Sequence, residues 1–312
     1  MEFRQAMSTS SKGLLAGLSA YALWGLVPFY WKLLDGIPAD ELLYVRLVLT
    51  ALTCLVVLRL RGTLGSFTSA IREGPSVSRA LLMAVLLAGN WFSFMWAVGN
   101  GQILQSSLGY FLCPIVIVLL ARFIEREHLG PLRWLAVGFA AAGVSLFIWQ
   151  AGVIPLAAIC IAFTWGGYGL MKKRSAVGPM VALSMETALL SPPAILLFSL
   201  LALQGPPRLT SAPPGQLLAI SLVGLVTAIP LLLFAYAARR IRLSTLGMGQ
   251  YIVPSMHFAI ALFYGETVTR PILAGFALIW TGLALFSAGG RFTGGPRKAV
   301  DPAIPGEDNI PS

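Results

Sequence analysis

Apolar residues run through this chain in blocks of about twenty, separated by short polar links. Neither the alternation of a half-buried strand nor the one-sided stripe of a soluble helix dominates. A hydrocarbon core about 30 Å thick needs roughly 20 apolar residues of helix to cross it. Ten windows meet that need, at about 12–31, 41–60, 79–98, 104–124, 131–149, 153–171, 179–203, 216–237, 244–264 and 271–289. The links carry glycine, proline or charge, as at Asp35-Gly36-Ile37-Pro38, Gly62 to Pro75 and Pro206 to Pro214. The pattern predicts an all-α integral membrane protein of about ten transmembrane helices.

Charge sharpens this picture. Eighteen of the lysines and arginines fall in alternate links and at the two ends of the chain, from Arg4 and Lys12 through Lys172, Lys173 and Arg174 to Lys298. The opposite set of links holds Lys32, Arg208 and Arg270, and Arg46 lies inside a window. Positive charge gathers in cytoplasmic loops, so this bias predicts both termini in the cytoplasm of a bacterial inner-membrane protein. The net charge of +10 therefore belongs to membrane topology, and no nucleic-acid partner is expected. With 57% hydrophobic and 11% charged residues, the lipid bilayer is the expected solvent. The first window is of full spanning length and lacks a small-residue cleavage site, so it reads as a retained helix rather than a signal peptide. Cys54, Cys113 and Cys160 each lie inside an apolar window without metal-ligand spacing, so neither a disulfide framework nor a metal site is indicated.

The two halves echo each other. Trp24-Gly25 recurs as Trp165-Gly166 and Lys32 as Lys173, both at an offset of 141. Pro114 and Pro254 are 140 apart, as are Pro131 and Pro271; Glu127 and Glu266 are 139 apart, and Leu108-Gly109 returns as Leu246-Gly247 at 138. Five windows separate the copies, and five is odd, so the second copy is expected to insert upside down. The predicted organisation is an N-terminal cytoplasmic segment (1–11), two inverted five-helix repeats (12–149 and 153–289) and a disordered cytoplasmic tail (290–312). Inverted repeats around an axis in the membrane plane are a transporter architecture.

Several segments carry a likeness. They are Tyr21-Ala22-Leu23-Trp24-Gly25, Ile37-Pro38-Ala39-Asp40-Glu41 with Arg46, Asn90-Trp91, Ser107-Leu108-Gly109-Tyr110-Phe111 with Pro114, Glu186-Thr187, Leu243-Ser244-Thr245-Leu246-Gly247 with Gln250-Tyr251-Ile252 and Pro254, and Tyr264-Gly265-Glu266. In matching order over residues 12 to 289, they resemble the drug/metabolite transporter superfamily with its duplicated EamA domains, and more closely its RarD branch. The resemblance implies ten helices and a central substrate route, and says little about the substrate. One departure is clear: where the family commonly has Gly-Glu after the fourth helix, this chain has Arg126-Glu127. The step from Pro254 to Glu266 is also one residue shorter than that from Pro114 to Glu127, which leaves the register of the halves open.

Ionisable side chains at membrane depth are expensive and tend to be functional. Two lie near window centres, Arg46 and Glu186, 140 residues apart. Both are expected to face a central cavity, where Arg46 either binds an anionic group of the substrate or pairs with Glu186, and Glu186 is a candidate proton acceptor. A purely structural ion pair, or a snorkelling Arg46, is the bland alternative. Polar and aromatic groups that could line a substrate route are Trp24, Asn90, Trp91, Tyr110, Trp165, Gln250 and Tyr251, with Trp96, Gln105, Ser106, Ser107, Tyr21, Tyr168 and His257 nearby in sequence. Pro114 and Pro254 are expected to bend their helices beside this set. Gly13 and Gly17, Gly138 and Ala142, and Gly275, Gly282 and Gly289 form small faces for close helix packing, within the chain or in a homodimer.

The sequence holds no HExxH, phosphate-binding loop, nucleophile elbow or nucleotide-binding glycine turn, so no enzyme activity and no cofactor are expected. The reading that accounts for most is a secondary transporter moving a small metabolite or drug-like amphiphile by alternating access, with export the commoner direction among such families. The competing readings are a membrane sensor or assembly protein, and a lipid-acting membrane enzyme.

Overall fold

The computed structural model describes residues 2–100, 103–152, 156–263 and 269–292. Among these the chain is all helix: α1 (Glu2–Lys32), α2 (Ala39–Leu60), α3 (Leu64–Arg72), α4 (Gly74–Gly99), α5 (Ile103–Phe123), α6 (Pro131–Ala151), α7 (Leu156–Lys173), α8 (Pro179–Gln204), α9 (Pro214–Arg240), α10 (Leu243–Gly249), α11 (Ile252–Phe263) and α12 (Arg270–Phe292). Where described, the apolar windows fall on helix almost throughout, but the described residues form twelve α-helices where ten spans were expected. Two local causes account for the difference. The link after α2 folds into the short α3, which tucks Phe67 and Ala70 against Leu58, Val181 and Met185. The ninth window divides at Gln250–Tyr251 into α10 and α11.

The division has a chemical origin in Pro254. Proline has no N–H to donate to the carbonyl four residues earlier, which here belongs to Gln250. That carbonyl instead accepts from Val253 at 3.0 Å, and Tyr251 N–H reaches Met248 O at 3.3 Å. The helix tightens for one turn and restarts. Pro114 acts differently: α5 runs through it without a break. Helix α1 begins at Glu2 and so runs through the segment expected to precede it. Tyr264, Gly265, Glu266 and the tail from residue 293 lie outside the described residues.

Seven helices (α1, α2, α4, α6, α8, α9 and α12) are each long and apolar enough to cross a membrane, and Ser107–Phe123 of α5 is a shorter apolar stretch. Helices α7 and α10 are not, and they are the most enclosed. Ten residues of α7, from Ala157 to Lys172, are buried, as are Leu243, Ser244, Leu246, Gly247 and Met248 of α10. A helix screened from lipid by its neighbours need not be apolar, which frees these two to carry polar groups at the centre.

The packing pairs helices across the two halves. Helix α2 lies on α8, α5 on α10, α6 on α12, α1 on α9 and α4 on α7. Glycine makes several of these approaches close. A Cβ on Gly224 of α9 would sit 2.4 Å from Leu49 O and 2.5 Å from Thr53 Oγ1 of α2. On α12, Gly275, Gly282 and Gly289 face Phe147, Ala136 and Arg133 of α6 in descending order, so that pair is antiparallel. Gly13 and Gly17 are occupied by Arg240 and Ala237 of α9, whereas a Cβ on Gly138 would meet nothing within 4 Å.

The Arg126 departure has a backbone consequence. Its φ is 54°, a left-handed value that favours glycine, and it is the one non-glycine residue with positive φ among those described. The turn it makes carries Glu127 to the start of α10.

Two stability predictions follow from this geometry. Gly224→Leu forces α2 and α9 apart and should destabilise the protein by about 1–3 kcal/mol, whereas Gly138→Leu should leave the melting temperature in detergent unchanged; equal melting of both would refute the close-packing account. Arg126→Gly relieves the left-handed strain and should raise stability by up to about 1 kcal/mol, less what the freer unfolded chain takes back, read in the same melts.

Candidate functional site

The site grows from α7, whose Trp165, Tyr168 and Lys172 recur every three or four residues and share one face. Trp165 donates its Nε1–H to Gln250 Oε1 at 3.0 Å, exactly at the α10/α11 break, and its ring meets Trp24 of α1 edge-on at 5.3 Å. Phe234 of α9 completes this aromatic centre, 5.0 Å from Trp165 and 5.9 Å from Trp24. Tyr21 tilts onto Trp24 and donates its hydroxyl to Leu246 O at 2.8 Å. Tyr251 donates to Phe111 O at 3.2 Å, and Asn90 donates to Ile161 O at 3.0 Å. Of the expected site residues, Trp24 and Gln250 thus both meet Trp165, with Tyr251 tying the α10/α11 break to α5 and Asn90 tying α4 to α7 around them.

Glu186 and Arg46 do not pair. Glu186, fully buried, accepts from Lys172 Nζ at 2.6 Å and from the Tyr168 hydroxyl at 3.0 Å. The reason is register. Helices α2 and α8 pack so that Cys54, not Arg46, lies level with Ser184 and Glu186. Eight residues separate Cys54 from Arg46, about 12 Å along a helix at 1.5 Å per residue. The expectation that the ion pair would join the two equivalent positions is therefore corrected: Glu186 takes its cation from α7.

Arg46 instead lies 4.0 Å over the ring of Trp91 and 5.9 Å from that of Trp31. Tyr30 and Tyr110 lie within its electrostatic reach, and Tyr110 packs on Phe94 with ring centres 6.0 Å apart. Its buried Nε has no hydrogen-bond partner. Helix α2 rests on α8 and α9, whereas the rings around Arg46 come from α1, α4 and α5. Its side chain thus reaches from α2 to rings on three other helices, and Arg46, Trp31, Trp91 and Tyr110 are all only partly buried. The side chains of Gln105 and Ser106 lie outside the described residues. Ser107, with Phe111, Phe147 and Phe276, lines a separate cavity of about 400 Å³ between α5, α6 and α12.

The sequence profile of the EamA-like transporter family matches this chain twice, over residues 11–149 and 153–288. The chain belongs to the EamA-like transporter family. Within it the chain sits in the RarD branch. It is 36% identical to Protein RarD of Escherichia coli K12 over 276 residues, covering 88% of this chain and 93% of that protein. It is 38% identical to an uncharacterized transporter of Pseudomonas aeruginosa over 288 residues, covering 90% and 95%. A crystal structure sharing 20% identity superposes with a TM-score of 0.67 over 89% of this chain and 98% of that one, a likeness of fold. This RarD-type protein is accordingly a multi-pass membrane protein of a transporter family.

Sequence reasoning missed three partners in this EamA chain. Lys172 looked like one of a run of loop lysines, although its place four residues after Tyr168 puts it on the Glu186 face. Phe234 was one apolar residue among many. Glu127 was noticed only as a repeat marker, yet its carboxylate caps α10, accepting from Leu243 N at 2.6 Å, Ser244 N at 3.2 Å and Ser244 Oγ at 2.5 Å. Its place in a Pro-free turn before the fifth window gave no local sign of that partner, which is 116 residues away.

The buried pair yields a prediction. Lys172→Met alone leaves Glu186 as an uncompensated buried charge and should cost about 3–5 kcal/mol. Adding Glu186→Leu to it should restore most of that loss. A double variant that melts no higher than the single one would contradict the pairing.

Proposed function

We propose that this protein is a secondary transporter of small metabolites or drug-like amphiphiles in the bacterial cytoplasmic membrane. The observation that carries the reading is the meeting of Trp24 and Trp165, residues at equivalent places in the two halves, against Gln250 at a broken helix. Sites in such folds tend to lie near the midplane where interrupted helices from two repeats converge. Family membership and the transporter names of relatives support the same class.

The two family matches support a division into repeats, 12–149 and 153–289. The helix pairing supports their inversion. Equivalent helices lie against each other (α2 on α8, α5 on α10, α6 on α12), while α1 on α9 is mirrored by α7 on α4. A two-fold axis in the membrane plane generates that pattern. Ten crossings, with α10 and α11 counted as one broken span, follow from this scheme, and the basic links put both termini in the cytoplasm. Alternating access is then a rocking of the two halves about the aromatic centre, in the export direction. Glu186, released from Lys172 when the cytoplasmic side opens, is the candidate proton acceptor. Arg46, Trp91, Asn90, Tyr110 and Tyr251 line the route. An enzyme acting on lipids would need clustered acid, base or metal ligands, and among the described residues no such metal-binding group occurs.

The test is solute flux in proteoliposomes and everted vesicles across a metabolite and antibiotic panel. Gln250→Leu should lower flux about fivefold or more through loss of the indole contact, while Trp149→Phe, on the exposed end of α6, should not. Full flux in Gln250→Leu would remove the central site from the mechanism. Glu186→Gln should flatten the pH dependence of flux, and pH-dependent flux kept at full size would eliminate the proton role.

A further inference from the structure

Three charged side chains lie deep among the central helices, and their balance is uneven. Glu186 is matched by Lys172 at 2.6 Å. Arg46 is matched by nothing: among the described residues neither ion pair involves it, and its Nε lacks a partner. A guanidinium has five N–H donors in a planar fork and does not lose its proton. At bilayer depth such a cation needs a counter-charge or hydrogen-bond acceptors. The chain supplies aromatic faces instead, with Trp91 at 4.0 Å and Trp31 at 5.9 Å. These stabilise the cation by their faces and leave the edges of the fork, where hydrogen bonds form, without an acceptor.

The pseudo-equivalent positions make the contrast sharper. Arg46 and Glu186 are 140 residues apart, and Lys172 is 141 after Trp31. Thus where the second half places a lysine against its acidic residue, the first half places an indole against its arginine. One half is electrically closed and the other carries an open positive charge. The surrounding rings of Trp31, Trp91 and Tyr110 come from three different helices and, like Arg46 itself, are only partly buried.

We propose that Arg46 is the charge-selecting group of the central route and that the solute it receives is an organic anion with a planar head, a carboxylate above all, on a flat or aliphatic apolar body. The fork of Arg46 binds the two carboxylate oxygens side by side, Trp91 holds the guanidinium from behind, and Trp31 and Tyr110 pack the apolar body. Binding brings the missing negative charge, so a neutral analogue of the same shape is rejected for want of it. This assignment rests on the transport reading for its role but not for its binding chemistry.

The experiment uses the full-length protein in lipid nanodiscs, with binding read by tryptophan fluorescence and by thermal shift. The probes are phenylacetate and hexanoate, each beside its neutral amide, phenylacetamide and hexanamide. Both acids should bind wild type and the amides should not. Arg46→Gln should weaken acid binding about tenfold to a hundredfold, the loss of a charge-assisted hydrogen bond. Arg46→Lys, which keeps the charge but not the fork, should fall between, and it serves as the variant if Arg46→Gln does not fold. Equal binding of acids and amides, no acid binding to wild type, or undiminished acid binding in either variant overturns the proposal. Counterflow of radiolabelled phenylacetate in proteoliposomes separates the two readings. Arg46-dependent binding without counterflow overturns transport and retains the anion site. Counterflow that continues unchanged without Arg46 retains transport and overturns the anion site.

Discussion

Hydrocarbon supplies no hydrogen bonds, so each polar group at bilayer depth has to find its partner inside the chain, and the helix arrangement can be read from where those partners are. Most hydroxyls bond to their own helix backbone, as Thr50 does to Arg46 O and Thr187 to Leu183 O, but several longer side chains reach into the other half. Asn90 of the first half bonds to Ile161 of the second, Tyr21 to Leu246, Tyr251 back to Phe111, and Glu127 to the first residues of α10. The connections are individually modest, about 1 kcal/mol or less each in membranes. Their number and placement tie α7 and α10, the two least lipid-compatible elements, to the middle of the bundle. The remaining helices then enclose them, with α8 turning Leu196, Leu200 and Leu203 outward.

This division of labour explains what could be read from the sequence and what could not. Helix positions were legible because the solvent enforces a length and an apolarity, so the described part of each window is helical, the ninth with a break. The doubling of the chain was legible because Trp24, Lys32, Pro114 and Glu127 kept recognisable copies. The break in the ninth window was foreshadowed only by Pro254; its position depends on which carbonyl loses its donor and which neighbour accepts the distortion, here Trp165 through Gln250. The short α3 was hidden because nine residues with polar ones among them look like a link until Phe67 finds Met185.

The site was half legible for the same reason. Aromatic and amide residues in the centre stood out by their chemistry, and Trp24, Trp165 and Gln250 do meet. Arg46 and Glu186 stand out too, but equivalence in sequence does not make them neighbours in space. The packing of α2 on α8 sets Cys54, not Arg46, beside Ser184 and Glu186. Arg46, eight residues earlier in α2 than Cys54, is carried about 12 Å along the helix from that level and does not reach Glu186. The partner that does reach Glu186, Lys172, was discounted because two further basic residues follow it.

An exact two-fold arrangement would give both sides of the route the same electrostatics, and the same gate twice over. Among the differences between the halves, two change the charge at the centre: Trp31 against Lys172, and Arg46 against Glu186. Their effect is to make one side self-neutralising and the other dependent on what enters. A buried ion pair is stable while both partners remain and expensive to split, so in the proposed transport cycle the Lys172–Glu186 side would favour the state that keeps the pair together. An open cation gains its counter-charge only from a visitor. In the proposed transport cycle, occupancy of the Arg46 side would supply free energy that the empty protein lacks, and only interactions that differ between the two states can shift the balance between them. The asymmetry of charge in an otherwise repeated frame is thus the feature through which a bound solute could move this protein.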